Sequence, residues 1–318
     1  MSTEPAPTGP RLVVPEGSLV PGSPRPPVAS DVTALVVTHD GERHIEEQLD
    51  SILTQTVLPG VVLVVDDASL DGTRAIVAEV ARSSPVPIEL VPTDGSGAPD
   101  LKTRVAGNVQ FGLAMTASCP VTMLADQDDV WLPDRLETQR ALLLGTPGAL
   151  VVAGDGVLVD ENGAVLGGRL RDRFPVPDDW GLMAPAARMR MSLRMPFVTG
   201  AAMAVTSECV ELMTPIPAGW LHDRWATLVA AARDGLVLQI DPVVRYRVHE
   251  GQALGDRQMA LGADGPRWRQ VLARGASPVQ AVQRARHVVS RIRPLALDDS
   301  VAEELGWPAL LRSARATA

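Results

Sequence analysis

The chain has almost no lysine and almost no cysteine. Lys102 is the single lysine among 29 basic residues, and the arginine that replaces it elsewhere is a compositional bias with no functional content. Cys119 and Cys209 are the only cysteines in 318 residues, too few for a disulfide scaffold or a cysteine-based zinc site. A reducing cytoplasm is the expected compartment. No apolar run approaches the roughly 18 residues of a membrane span, and the first residues lack the basic-then-apolar plan of a secretory signal. Positive charge is not in surplus either. The formal charge of −9 argues against nucleic acid as a main partner, because phosphate backbones attract excess Lys and Arg. What is present, 46% hydrophobic and 21% charged residues, suits a globular protein able to bury a sizeable core.

Residues 1–30 are rich in Pro, Gly and Ser and read as a disordered leader. From residue 31 the pattern turns regular. "VTALVVT" (32–38), "VVLVVD" (61–66) and "VTMLAD" (121–126) are continuous apolar strands. Between them Ile45, Leu49 and Ile52, then Ile76, Val77 and Val80, recur at helical spacing, and a helix is expected near 104–116. Pro133 opens a further helix carrying Leu136, Arg140 and Leu143. This alternation predicts an α/β fold with a mostly parallel central sheet flanked by helices. The second half is less regular: a hairpin over 157–166 turning at Asn162-Gly163, a strand near 200–205, a helix over 223–233, and strands at 236–240 and 243–247. Residues 168–197, rich in Arg, Met and Pro, show no period and are expected to form a mobile, substrate-covering segment. Beyond Asp256 two or three arginine-rich helices are expected. The predicted organisation is a leader (1–30), one domain (31–255) whose halves are 31–148 and 149–255, and a helical extension (256–318).

In such sheets ligands bind at the carboxyl ends of the strands, and here each early strand ends in polar or acidic residues: Thr38 to Asp40, Asp66 and Asp67, and Asp126 to Asp129. Carboxylates this close repel and raise one another's pKa unless a cation sits among them. Asp126 and Asp128 form an Asp-x-Asp pair of the kind that gives Mg2+ one or two carboxylates while a substrate phosphate completes its shell. A calcium-loop reading fails because Val130 stands at the third ligand position. The plain alternative is a solvated acidic turn that caps the next helix. Asp66 and Asp67 either accept from a nucleobase or ribose, or belong to an Asx-rich turn. Asp223, after His222, is either a helix cap or a general base. His249 is a structural histidine or a ligand for a borderline metal ion.

In order along the chain these pieces resemble the family 2 glycosyltransferases of the GT-A fold, and within them the rhamnosyltransferase-like group, over residues 32–255. The stretch from "VVTHDG" to "LTQT" is similar to that group's opening, with His39 and Asp40 in place of its Tyr-Asn; "VVDDASLDGT" (64–73) and "GNVQFGL" (107–113) follow in register. "ADQDDVW" (125–131) is the most specific match, and "FVTGAAMAV" (197–205), "HDRW" (222–225) and "YRVHEGQALG" (246–255) complete the series, with Gln252 where the group has Asn.

The resemblance implies an α/β fold with a nucleotide-sugar-binding half and an acceptor half. It implies a metal-dependent inverting transfer of a sugar, rhamnose in that group, from a nucleoside-diphosphate donor to a hydroxyl of a glycan or lipid-linked acceptor. Thr38, Asp66, Asp67, Asp126 and Gln127 would hold the donor. Asp126, Asp128 and His249 would carry Mg2+ or Mn2+, and Asp223 would be the base. Trp131, Gly200, His222 and Trp225 would line the acceptor side. The departures at His39, Asp40 and Gln252 keep open a nucleotide-sugar-binding pseudoenzyme or assembly partner. Sugar-nucleotide synthesis, suggested by Gly72-Thr73-Arg74, lacks the glycine-rich phosphate loop such enzymes place near their start. Arg267, Arg269, Arg284, Arg286, Arg291 and Arg293 either face anionic lipid at the inner face of the membrane or form a solvated helical face.

Overall fold

The computed structural model describes residues 12–13, 26–94, 98, 100–249 and 278–306. The strands are β1 (Leu12–Val13), β2 (Val28–Thr38), β3 (Leu58–Asp67), β4 (Ile88–Thr93), β5 (Val121–Asp126), β6 (Val130–Trp131), β7 (Val151–Val159), β8 (Val165–Arg169), β9 (Met203–Thr206) and β10 (Leu236–Arg247). They form one sheet in the order β1-β4-β3-β2-β5-β9-β7-β10-β6, with β8 paired to β7. Strands β4, β3, β2 and β5 are mutually parallel, and β10 is parallel to β7. Strand β9 runs antiparallel between β5 and β7. Two strands therefore begin inside the expected leader: β1 pairs with β4, and β2 starts at Val28.

The helices are α1 (Ile45–Leu53), α2 (Thr73–Ser83), α3 (Leu101–Met115), α4 (Arg135–Gly145), α5 (Pro185–Arg194), α6 (Ser207–Met213), α7 (His222–Ala232), α8 (Pro278–His287) and α9 (Asp299–Glu304). They cover both faces of the sheet. Ala34, Val36, Val62 and Val64 pack with Ile45, Leu49, Val77 and Leu136 on one face. Leu35, Leu63, Val65 and Leu124 pack with Leu113, Trp225 and Leu228 on the other. Successive side chains of a strand point to opposite faces, so a strand covered on both sides must be apolar without interruption. That is why these strands read as continuous runs. Helix α3 lies close on β2 because Gly112 has no Cβ; one added there would sit 2.5 Å from Leu35 Cδ1.

Residues 168–197 differ from the mobile segment expected of them. Pro185 starts α5 at a position where its missing N–H does no harm, and the helix packs on α7. Met189 and Ser192 are buried, and the rings of Trp180 and Phe197 meet edge to face at 5.3 Å. Arg190 and Arg194 of α5 are exposed, while Arg188 is largely buried and pairs with Asp234. The C-terminal helices are not a detached extension: Val288, Ile292, Val301 and Leu305 are buried in the same cluster as α7. Two of their arginines are occupied at home. Arg291 donates to the carbonyls of Thr214 and Pro215, and Arg293 Nε donates to Ala302 O. Arg267 and Arg269 lie outside the described residues. Among the described residues no helix is long and apolar enough to cross a membrane.

Candidate active site

The parallel register brings three strand ends to one level. Thr38 pairs with Asp66, and Val37 with Asp126. Above them opens a cavity of about 430 Å³. Its floor is Val37 to His39, Asp67 and Asp126 to Asp128; one wall is α3 with Arg104 and Asn108; the far wall is Thr199, Gly200, and Leu221 to Asp223 at the start of α7.

On the α3 side, Asp67 is buried and faces Arg104, whose Nε lies 2.6 Å from Asp67 Oδ2. Arg104 Nη2 also donates to the Asp67 carbonyl at 3.1 Å, and His39 Nδ1 is 2.7 Å from that same oxygen. Asp66 is placed differently from expectation. It does not line the cavity; its Oδ2 accepts from the Ser69 backbone N–H and from Arg74 Nε, tying down the turn after β3. The Thr38 hydroxyl donates to Gln127 Oε1 at 2.6 Å, and Gln127 Nε2 donates to His39 O. Gln127 thus clamps the β5 end to the β2 end. Asp40, in the left-handed region at φ 45°, accepts from the Leu70 N–H and so holds the loop that follows Asp67.

The acidic stretch 126–129 divides into separate tasks. Asp129 is buried; its Oδ1 accepts from the Arg247 backbone N–H at 2.9 Å, and burial raises its pKa well above the usual carboxylate range. Asp126 and Asp128 line the cavity. Burial, then the charges of Asp128 and Asp223, push Asp126 up to about 7, against the opposing pull of Arg135. Nε2 of His249 lies 2.8 Å from Asp128 Oδ2.

The chain supplies two buried cations of its own here. Arg135 is fully buried beneath the cluster; its guanidinium donates to the carbonyls of Ala201 and Leu124 and stacks 4.1 Å from the Trp131 ring. Burial lowers its pKa to about 9. Arg247, 2% exposed, donates from Nε to Asp128 O and from Nη2 to Glu47 Oε2. Even so, Asp126 remains repelled by its acidic neighbours. The two cavity-facing carboxylates fit a divalent ion that draws its other ligands from a substrate. Among the described residues no group of three or more His, Cys, Asp or Glu side chains is placed to hold a metal ion.

On the far wall, Asp223 sits in the first turn of α7 and lines the cavity. It is not the cap, because Leu221 occupies that position and no side chain caps the helix. His222 is buried and packs against Gly200 so closely that a Cβ on Gly200 would lie 2.3 Å from His222 Nε2. Trp131 and Trp225 do not reach the cavity. Trp131 is 2% exposed beneath Arg135, and Trp225 is fully buried with its Nε1 donating to Met213 O at 2.9 Å. Both indoles belong to the core. The sequence reading missed Arg104, Arg135 and Arg247. For Arg104 a signal existed: with Asn108 it stands at i,i+4 on α3, so the two share a face.

Residues 33–164 match the family model described as glycosyl transferase family 2. This segment is similar to a family 2 glycosyltransferase domain and spans less than half of the 318-residue chain. The match spans the strand ends carrying Thr38, Asp67, Asp126 and Asp128. The chain is also similar to the putative glycosyltransferase EpsE of Bacillus subtilis (strain 168), 30% identical over 153 residues, which are 48% of this chain and 51% of that protein. The chain thus spans about half the length of this curated relative. Among solved structures, S. aureus TarS 1–349 in complex with UDP-GlcNAc aligns with a TM-score of 0.56 at 18% identity, over 88% of this chain and 72% of that one. The mannosyltransferase PcManGT from Pyrobaculum calidifontis, in complex with GDP-Man and Mn2+, aligns at 0.50 and 21% identity, over 98% and 77%. These likenesses identify the fold as GT-A.

Proposed function

We propose that the chain transfers a sugar from a nucleoside-diphosphate donor to an acceptor hydroxyl, with inversion at the anomeric carbon. One observation carries this reading: Asp67 at the end of β3, Asp126 and Asp128 at and just after the end of β5, and Asp223 at the start of α7 line a single cavity at the carboxyl ends of parallel strands. The donor would lie along the floor, its base and ribose between Asp67 and α3. Asp126 and Asp128 would hold Mg2+ or Mn2+, with His249 beside Asp128. Such an ion, when bound, neutralises charge that builds on the departing diphosphate.

Asp223 faces the cavity from the opposite wall. It would take the proton of the acceptor hydroxyl as that oxygen bonds to the anomeric carbon, while the bond to the diphosphate breaks and its electron pair leaves with the diphosphate. The close packing of buried His222 on Gly200 would fix the turn that carries Asp223, and holding donor and acceptor in line would supply several kcal/mol of barrier reduction. The resemblance to the rhamnosyltransferase-like group supports rhamnose as the sugar and a glycan or lipid-linked acceptor. The test is a thermal-shift panel of nucleotide sugars with and without Mn2+, followed by transfer assays on the binders. Asp128→Asn should abolish the metal-dependent shift, and Asp223→Asn should keep donor binding and lose transfer. Donor binding unchanged in Asp128→Asn, with no sugar released from any donor by the wild type, would sink the reading.

A further inference from the structure

His44 has no part in the reading above, yet it lies against the ion-binding cluster. It occupies the position before α1 and is 9% exposed. Its Nε2 is buried and has no hydrogen-bond partner among the described residues. Leaving a buried ring nitrogen without a partner is unfavourable. What the ring does touch is His249: the two imidazole centroids are 5.3 Å apart, with the planes tilted by 48°. His249 in turn holds Asp128 through Nε2 at 2.8 Å. The chain of contact runs from α1 through His44 and His249 to Asp128.

His249 follows the last strand by two residues, and the His44 ring lies against its side. The strand end is anchored by Arg247, whose Nη2 reaches Glu47 on α1. Helix α1 and the residue before it therefore reach this region twice, through the Glu47 carboxylate on the Arg247 side chain and through the His44 ring on His249. Groups that orient a metal's direct ligands typically contribute 10–100-fold to metal affinity.

We propose that His44 is a positioning residue of the divalent-ion site, buttressing the His249 ring so that His249 keeps the Asp128 carboxylate aimed into the cavity. This rests on the metal-dependent reading. Two readouts on the full chain test it. The chain has five histidines, so ¹⁵N-histidine spectra of the metal-free protein are sparse enough to follow His249 without any ion present. Mn2+ uptake, with UDP or GDP present, is followed by the EPR signal of the free ion.

His44→Ala should shift the His249 ring signals away from their wild-type positions and weaken Mn2+ binding by about tenfold. His44→Phe, which keeps a planar ring and removes the unpaired nitrogen, should restore both the signals and Mn2+ affinity to within about twofold of wild type. Unchanged His249 signals in His44→Ala, or His44→Phe as impaired as His44→Ala, would overturn the proposal. A wild type that takes up no Mn2+ would overturn the metal reading instead, and the metal-free spectra tell the two failures apart.

Discussion

Gly200→Ala is the sharpest perturbation the far wall of the cavity offers. The new methyl would sit 2.3 Å from His222 Nε2, about 1 Å inside the 3.4 Å at which ordinary contact begins. The His222 ring is buried at 7% exposure and cannot swing into solvent, so either the ring and the first turn of α7 move or the 199–202 segment does. Asp223 is the next residue and moves with that turn. Overpacking of this kind costs about 1–3 kcal/mol of stability. Misplacing a catalytic group by about 1 Å costs about 10²-fold in rate. Donor binding should survive, because Asp67, Asp126 and Asp128 stand on other elements. The assay is therefore paired: donor affinity by thermal shift or calorimetry, and transfer by nucleoside-diphosphate release with acceptor present. Affinity near wild type with transfer down about 100-fold is the expected result. Wild-type transfer from Gly200→Ala would show that the His222–Asp223 turn does not position the reaction, and Asp223 would lose its role as base.

Metal-free protein should lose stability as pH rises from about 5 to 8. Asp126 is raised to about 7 when folded against an ordinary value of 3.8, so the folded state binds the proton more tightly, is favoured at low pH, and loses that advantage as pH climbs through 7. Mn2+ should reverse the trend and stabilise more at pH 8 than at pH 6; thermal melts across that range with EDTA or Mn2+ check both slopes, and parallel curves would refute the repulsion argument. Trp225→Phe should lower stability by about 1–3 kcal/mol in urea titrations, through the lost bond to Met213 O and the smaller ring, with transfer intact. A raised acceptor KM at unchanged stability would return that indole to the acceptor wall. Arg104→Ala removes the partner of Asp67 and should weaken nucleotide binding by roughly tenfold, about 1.4 kcal/mol; calorimetry with UDP and GDP reads it, and unchanged affinity would place the base elsewhere.

How far the sequence could be read depended on whether local pattern or remote partners decided a residue's place. Strands β2, β3 and β5 were legible because burial on both faces forces unbroken apolar runs, and the cavity lies where their acidic ends predict it. Strand β10 reads as two strands because Asp241-Pro242 interrupts the run, but register shifts around Pro242 let a single strand continue past it. Helix α5 was illegible because its apolar positions are met by methionine and serine and its outer face by arginine. The tryptophans are ambiguous in the sequence for a different reason. An indole beside a motif suits a sugar platform and a core equally well, and only the position of Arg135 and Met213 decides. Arg135 is the hardest case: its burial is sustained by carbonyls of Leu124 and Ala201, residues far apart in sequence, and no local spacing announces that.

The acidic run at 126–129 is where these levels meet. Carboxylates at that density need positive charge, and the structure answers in two parts. Asp129 is turned inward onto the Arg247 backbone, and Arg135 and Arg247 bring fixed cations to the interior side. An arginine saturated by carbonyls cannot leave or change ligands, so its charge fixes the loop and nothing more. Asp126 and Asp128 are left facing the cavity with Asp223 across from them, and Asp126 is still held near 7 with Arg135 in place. A nucleoside diphosphate is itself an anion and would be repelled by that surface. The proposed donor and divalent ion would therefore bind as partners, each raising the other's affinity by the same factor, and the fixed arginines below would set how much negative charge remains for the pair to use.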